Sequence, residues 1–84
     1  MSEVRNLKVR LASIDVVKRF VCVAMDSECN VDIFSGKYAI DGKSIMGIFS
    51  IDLTGILNVR ISSSSKEDVD LLYENIKDIG VIVE

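Results

Sequence analysis

The 84-residue sequence contains no histidine, no proline and no tryptophan. Histidine is the usual proton-transfer group near neutral pH and the commonest metal ligand, so the usual residue for both roles is missing. Cys22 and Cys29 are the only cysteines, and they supply at most two of the four ligands that a structural zinc site needs. We therefore expect neither a metal site nor a cofactor.

The chain also has no long apolar run and no segment typical of export. No stretch approaches the roughly 20 apolar residues that a membrane-spanning helix needs. Residues 1–6 lack the basic region and the following apolar stretch of a signal peptide. These absences predict a cytoplasmic protein without a membrane partner. A reducing cytoplasm disfavours a disulfide, so we interpret Cys22 as a small core residue of a helix.

The charge and the length of the chain exclude further classes. Ten basic and thirteen acidic side chains are interspersed and give a net charge of -3. A protein that binds nucleic acid normally presents a basic surface to the phosphates, so we expect no direct contact with DNA or RNA. The length predicts a single domain over residues 1–84, which buries only about 60% of the surface of its unfolded chain.

Hydrophobic periodicity predicts a strand, a helix and a hairpin in the first half of the chain. Residues 7–11 alternate apolar and basic side chains, which is the period of a strand with one buried face. Ser13 is a good N-cap for a first helix that ends near Asp26. Two short strands flank Ser35-Gly36 as an antiparallel hairpin. The apolar positions of the helix are Val17, Phe20, Val21 and Ala24, and those of the hairpin are Val31, Ile33, Tyr38 and Ile40.

The second half predicts a helix, a strand and a further helix. Ser44 begins a second helix of about two to three turns, which Thr54-Gly55 ends. Residues 57–61 alternate as a fourth strand before a loop of serines. Ser65 begins the third helix, and Gly80 ends it. The apolar positions are Ile45, Ile48, Phe49 and Leu53 in the second helix, and Val69, Leu72, Tyr73, Ile76 and Ile79 in the third.

The predicted element order is β-α-β-β-α-β-α, without an internal repeat or a linker. Each helix has one apolar stripe and each strand has one apolar face, so two layers bury both sets. We therefore predict an α+β fold with a four-stranded antiparallel sheet and three helices on one face. Residues 81–83 either pack against this sheet or extend as a tail.

Gly42-Lys43-Ser44 matches the last three residues of a phosphate-binding loop. That loop also needs a glycine five residues before its final glycine, so that successive backbone amides surround the phosphates. Gly36 lies six residues before Gly42, and the intervening residues have the pattern of a strand. The spacing therefore argues against nucleotide binding.

Residues 43–47, Lys-Ser-Ile-Met-Gly, resemble the regulatory-serine helix of HPr, the phosphocarrier family of bacterial sugar phosphotransferase systems. The resemblance is strongest over residues 36–53 and extends, in element order, to nearly the whole chain. It implies the HPr fold, a two-layer open-faced β-sandwich, and a role in carbohydrate regulation. In serine-regulated members an ATP-dependent HPr kinase/phosphorylase phosphorylates this serine, and Ser44 occupies its position.

Two interpretations of this helix follow. Ser44 is either a phosphorylation site or only an N-cap, because serine is a common N-cap. In the family, the residues at the start of this helix dock enzyme I, the kinase and regulatory partners. The matching positions are Lys43, Ile45, Met46 and Phe49. The same apolar residues also fit a buried stripe, and we expect Ile48 and Leu53 inside and Met46 outside.

The chain departs from the family at the family's active site. HPr proteins have His-Ala-Arg-Pro-Ala between the first strand and the first helix, whereas residues 13–17 are Ser-Ile-Asp-Val-Val. An imidazole accepts a phosphoryl group readily, but a serine hydroxyl needs an activating base. No third group orients Ser13 and Asp15, so we interpret Asp15 as a favourable first-turn charge. In lacking the histidine and keeping the serine, the chain is similar to Crh, a paralogue of HPr.

The resemblance implies a regulatory or protein-binding module that is not an enzyme and is switched by phosphorylation at Ser44. Its expected partners are an HPr kinase/phosphorylase, phosphotransferase enzymes and a transcriptional regulator. One alternative is a phosphocarrier that uses a nucleophile other than histidine. The other is a structural module that forms a homodimer, because small sheets have edges that can pair.

Overall fold

The computed structural model describes residues 2–83, and these residues form four strands and three helices in the predicted order. The HPr-like α+β architecture that we predicted is confirmed. The elements are β1 (Glu3–Val9), α1 (Ile14–Met25), β2 (Asn30–Ser35), β3 (Tyr38–Asp41), α2 (Ile45–Phe49), β4 (Leu57–Ser63) and α3 (Lys66–Ile79). No helix of the described residues combines the length and the apolar character that a membrane span requires.

The strands form one antiparallel sheet in the order β1-β4-β2-β3. β4 lies between two partners, so that Val59 is opposite Leu7 on one side and Ile33 on the other. β2 and β3 form the predicted hairpin, in which Ser35 is opposite Tyr38. Gly36 at its turn has a φ of 58°, a left-handed conformation that glycine adopts without a steric penalty.

The hydrophobic core lies between the sheet and the helices. α1 buries the four residues predicted from its periodicity, and α3 buries the predicted Val69, Leu72 and Ile76. The sheet contributes alternate residues of its strands, because successive side chains point to opposite faces. The buried strand residues are Leu7, Val9, Val31, Ile33, Leu57, Val59 and Ile61. Full burial of each large apolar side chain stabilises the fold by about 1.5–3 kcal/mol.

β1 begins and ends earlier than residues 7–11, where the sequence placed it. Backbone pairing with β4 extends the strand to Glu3, although residues 3–6 are all exposed. Among them, the guanidinium of Arg5 stacks 3.5 Å from the ring centroid of Tyr73 on α3. Pairing with β4, and not the burial of one face, stabilises residues 3–6. Their sequence therefore lacks the alternation of apolar and polar side chains from which a strand is predicted.

Residues 81–83 run along the outer edge of β1. The Arg10 N–H donates to the Val81 carbonyl at 2.9 Å, and the Val83 N–H donates to the Lys8 carbonyl at 2.8 Å. Val81 is buried. Of the two interpretations of this segment, packing against the sheet is therefore correct. The segment also covers the end of this edge, at residues 8–10, which would otherwise be open to another chain.

The two cysteines have opposite environments. Cys22 is exposed on α1, so its interpretation as a core residue is wrong, and Cys29 is buried. Cys22 follows Val21 directly and falls outside the stripe that α1 buries. Burial raises the pKa of the Cys29 thiol above its ordinary value of 9.0, and the negative charge of Asp68 raises it further. The Cys29 thiol is therefore protonated at neutral pH.

Candidate functional site

Ser44 begins α2 as an N-cap, which confirms that part of the prediction. Its backbone is extended, with φ −105° and ψ 104°, and its hydroxyl oxygen accepts a hydrogen bond from the Gly47 N–H at 3.2 Å. This bond satisfies one of the amides that a helix leaves unpaired at its start. The side chain is half-buried, with its oxygen against the first turn of the helix.

Gly47 provides the space that this cap requires. A Cβ at position 47 would lie 2.9 Å from Cγ2 of Ile40 on β3 and 3.2 Å from the Ser44 hydroxyl oxygen. Both separations are shorter than ordinary van der Waals contacts. A side chain at this position would therefore displace the Ile40 side chain or the capping oxygen, which explains the glycine at the end of the motif.

α2 contains only five residues, so the predicted two to three turns are wrong. After it, the Ser50 hydroxyl donates to the Gly47 carbonyl at 2.6 Å. The Asp52 carboxylate accepts from the hydroxyl of Thr54 at 2.7 Å and from its N–H at 2.9 Å. Such local side-chain bonds give the backbone an alternative to the helix. The same bonds from Thr54 lower the pKa of Asp52 below its ordinary value of 3.8.

The structure divides the four positions that the resemblance assigned to docking into two pairs. Met46 and Phe49 are 80% and 43% exposed. Ile45 instead packs partly buried against the core, and the ammonium of Lys43 donates to the carbonyl of Ser27 at 3.3 Å. The first pair is thus open to a partner, whereas the second pair fixes the start of α2 to the body of the protein.

The neighbouring apolar residues of this helix lie as expected, with one difference of degree. Ile48 is fully buried, and Met46 lies outside. Leu53 is only partly buried, because the chain has left the helix four residues before it. α2 therefore reaches the core chiefly through Ile48.

Ile14 is an exposed residue beside α2 that the sequence analysis did not single out. It is 62% exposed and, with Phe49, lines an open cavity of about 570 Å³ between the start of α1 and α2. Ile14 lies three residues before Val17, so helical periodicity alone places it in the buried stripe. Because Ile14 is in the first turn of α1, it lies at the edge of the hydrophobic core and remains exposed. We call Ile14, Met46 and Phe49 the docking surface.

Ser13 immediately precedes Ile14 in the chain and caps α1. Its hydroxyl oxygen accepts a hydrogen bond from the Val16 N–H at 3.2 Å, and Asp15 lies in the first turn of the helix. Both residues have the structural roles that the sequence predicted. Within residues 2–83, no group of three or more His, Cys, Asp and Glu side chains is arranged to hold a metal ion.

Several solved structures that this chain resembles are HPr phosphocarrier proteins. The phosphocarrier protein HPr from Bacillus anthracis has a TM-score of 0.66 and 22% identity, over 88% of this chain and 95% of that protein. A mycoplasma histidine-containing phosphocarrier protein has a TM-score of 0.65 and 15% identity, over 92% and 90%. HPr-C-His from Thermoanaerobacter tengcongensis has a TM-score of 0.63 and 18% identity, over 94% and 89%.

No protein-family model matches the sequence, and no curated protein matches it. At identities of 15% to 22%, the structural matches establish the fold, and a fold does not carry an activity with it. One of the matched proteins is named for its histidine, whereas this chain has none. The chain therefore has the fold of the HPr phosphocarrier proteins.

Proposed function

We propose that the chain is a non-catalytic, cytoplasmic HPr-like regulatory module of the sugar phosphotransferase system. It binds protein partners through the docking surface and is switched by phosphorylation of Ser44. The observation that carries this proposal is the exposure of Met46 and Phe49 immediately after a capping serine. The HPr fold supports the same relation to the phosphotransferase system.

The docking surface has the properties of a protein-binding site. Its three apolar side chains are exposed, and two of them line one open cavity. Met46 and Phe49 are three residues apart on α2, so they lie on the same side of the helix. Exposed apolar groups that lie together mark interaction sites, and the flexible methionine side chain fits partners of different shape. Burial of these groups in a complex supplies the affinity.

The chain lacks the groups of a phosphocarrier at the start of α1. It has no histidine, and the hydroxyl oxygen of Ser13 accepts the Val16 N–H as a helix cap. A hydroxyl needs an adjacent base before it becomes a nucleophile. A module that is recognised by partners fits these residues better than one that carries a phosphoryl group.

Phosphorylation would place a large charge beside the docking surface. A phosphoserine carries about −1.5 to −2 charges at neutral pH, whereas the whole chain has a net charge of -3. Ser44 is two residues before Met46, and the carboxylate of Asp41 already lies close by, where it accepts the Lys43 N–H at 2.9 Å. The phosphate therefore adds negative charge next to the docking surface and changes which partners bind.

The switch is tested by the intact mass of the protein after incubation with ATP and HPr kinase/phosphorylase, with an authentic HPr as the positive control. We expect one phosphoryl group on the wild type and none on Ser44→Ala. Ser50→Ala is the matched control, because Ser50 lies at the other end of α2, and it should gain one group. An unmodified wild type beside a modified HPr contradicts the switch.

The docking surface is tested by the affinity of the protein for enzyme I and for the kinase, measured by titration calorimetry. We expect Met46→Glu to raise the dissociation constant by about tenfold or more, because an unpaired carboxylate buried in an apolar interface costs more than about 1.4 kcal/mol, which corresponds to tenfold. Met25→Glu is the matched control, since Met25 is 62% exposed at the end of α1. Equal affinities for these two variants contradict the assignment of the surface.

The phosphocarrier alternative is tested by incubation with phosphoenolpyruvate and enzyme I. We expect no phosphoryl adduct, because the hydroxyl oxygen of Ser13 is engaged as a helix cap and accepts the Val16 N–H. An adduct that persists in Ser44→Ala and disappears in Ser13→Ala would identify a carrier serine and replace the proposal.

A further inference from the structure

The groove between α1 and α3 is a second part of the surface with exposed apolar side chains. Two cavities, of about 470 and 100 Å³, lie along it. Val23 on α1 and Asn75 on α3 line both cavities and therefore mark the middle of the groove. Leu71 is 62% exposed, and Cys22 is exposed as well.

The two ends of this groove have opposite charge. At one end the cavity is lined by Lys18 and Arg19 together with Asp78, and we call this the basic end. At the other end the charged residues of the cavity are all acidic, and we call this the acidic end. They are Asp26, Glu28 and Asp68. The apolar residues between the two ends separate the basic group from the acidic group.

We propose that this groove is the interface of a homodimer with twofold symmetry, in which the basic end of each copy lies on the acidic end of the other. A twofold axis near Val23 and Asn75 produces both contacts at once, because an isologous interface repeats every contact. The same arrangement buries Leu71 and Cys22 of both copies. The inference goes beyond the proposed function, since it uses a surface that shares no lining residue with the docking surface.

The charge pattern favours a second copy of this chain over an unrelated partner. A partner of uniform charge would meet a group of its own sign at one end of the groove, and juxtaposed like charges are costly in an interface. A second copy, turned by the twofold axis, meets the opposite net charge at both ends, because Lys18 and Arg19 outnumber Asp78 at the basic end. The groove is therefore complementary to itself.

The sheet edges favour the helical groove over the edge pairing that the sequence analysis considered. Residues 81–83 cover the end of the β1 edge, where they bond to the backbone of Lys8 and Arg10. β3, at the other edge, has only four residues, and very short edge strands are a known protection against pairing between chains. The groove differs from both edges in that its two ends carry opposite net charge and can therefore pair with a second copy.

The dimer is tested first by sedimentation velocity of the wild type over a wide range of concentration. We expect the sedimentation coefficient to rise with concentration and the dissociation constant to increase with salt, because salt screens exposed charges. A wild type that sediments as a monomer throughout overturns the proposal.

A charge exchange then tests the geometry. The first variant, Lys18→Glu with Arg19→Glu, makes the basic end acidic, and the second, Asp26→Lys with Glu28→Lys, makes the acidic end mostly basic. Each alone should dimerise at least about tenfold more weakly, and an equal mixture should recover affinity to within about threefold of the wild type. The substitutions suit the helix dipole, because the glutamates lie in the first half of α1 and position 26 is its C-cap.

The matched control is Lys8→Glu with Lys37→Glu, which alters the net charge by the same amount at exposed positions outside the groove. We expect it to dimerise within about threefold of the wild type, since only exposed charges far from the interface change. Circular dichroism verifies that every variant is folded. If the control weakens the dimer as much as the first variant, or if the mixture does not recover, the groove is not the interface.

Discussion

Replacement of Gly42 by alanine tests the packing that holds the start of α2 against the sheet. Gly42 is buried, and its N–H donates to the Val31 carbonyl at 2.8 Å. An added Cβ would overlap Cγ1 of Val31 and would lie 3.0 Å from its Cβ and 3.3 Å from its carbonyl oxygen. Val31 is 2% exposed on β2. Its β-branched side chain has few rotamers available in a packed core, so it cannot move away.

The expected magnitude follows from two opposing terms. Extra atoms in a well-packed core cost about 1–3 kcal/mol, whereas alanine restricts the unfolded chain and offsets about 0.4–1 kcal/mol. Gly42→Ala should therefore lower the free energy of unfolding by about 1.3 kcal/mol, the difference between the centres of the two ranges. In a domain of this size, each kcal/mol of lost stability lowers the midpoint of thermal unfolding by about 4–8 °C.

The assay is urea denaturation followed by circular dichroism, with Gly55→Ala as the matched control. A Cβ at Gly55 would meet no atom within 4 Å, and its φ is not positive, so this variant should be neutral or up to about 1 kcal/mol more stable. A lower midpoint for Gly42→Ala alone supports the argument. Equal midpoints for the two variants refute it.

Four further predictions concern stability and reactivity. Ser44→Ala should lower the free energy of unfolding by about 1 kcal/mol in urea denaturation, and Ser44→Asp should keep it close to the wild type, because aspartate also caps helices. A thiol reagent should label Cys22 alone in the folded protein and both cysteines in urea. Because the raised pKa of Cys29 makes the folded state hold its proton more tightly, stability should fall as the pH rises above about 9, and less so in Cys29→Ala. A double-mutant cycle of Arg5→Ala and Tyr73→Leu should give a coupling of about 0.5–1 kcal/mol, and a coupling near zero would contradict the stacking.

The candidate site was only partly predictable from the sequence. The capping role of Ser44 could be read directly, because its hydrogen bond reaches an amide only three residues away. Two other features could not be read from the sequence, namely the exposure of Ile14 and the hydrogen bond from Lys43 to Ser27. Both depend on where α1 and the loop that follows it lie in relation to α2. The glycine of Gly42-Lys43-Ser44 is explained by close packing against Val31 and not by nucleotide binding. That packing could be seen only once the position of Val31 was known.

The order of strands and helices follows from local periodicity and capping, which short-range contacts control. The same physics explains why α1 and α3 begin at Ser13 and Ser65 as predicted. The exposure of Cys22 follows from the same periodicity, because the stripe of Val17, Phe20, Val21 and Ala24 excludes position 22. Two features required distant neighbours: the extension of β1 to Glu3 by pairing with β4, and the placement of residues 81–83 on the β1 edge. Each of these depends on backbone pairing or burial between segments far apart in the chain, and the periodicity of one segment carries no information about its neighbours.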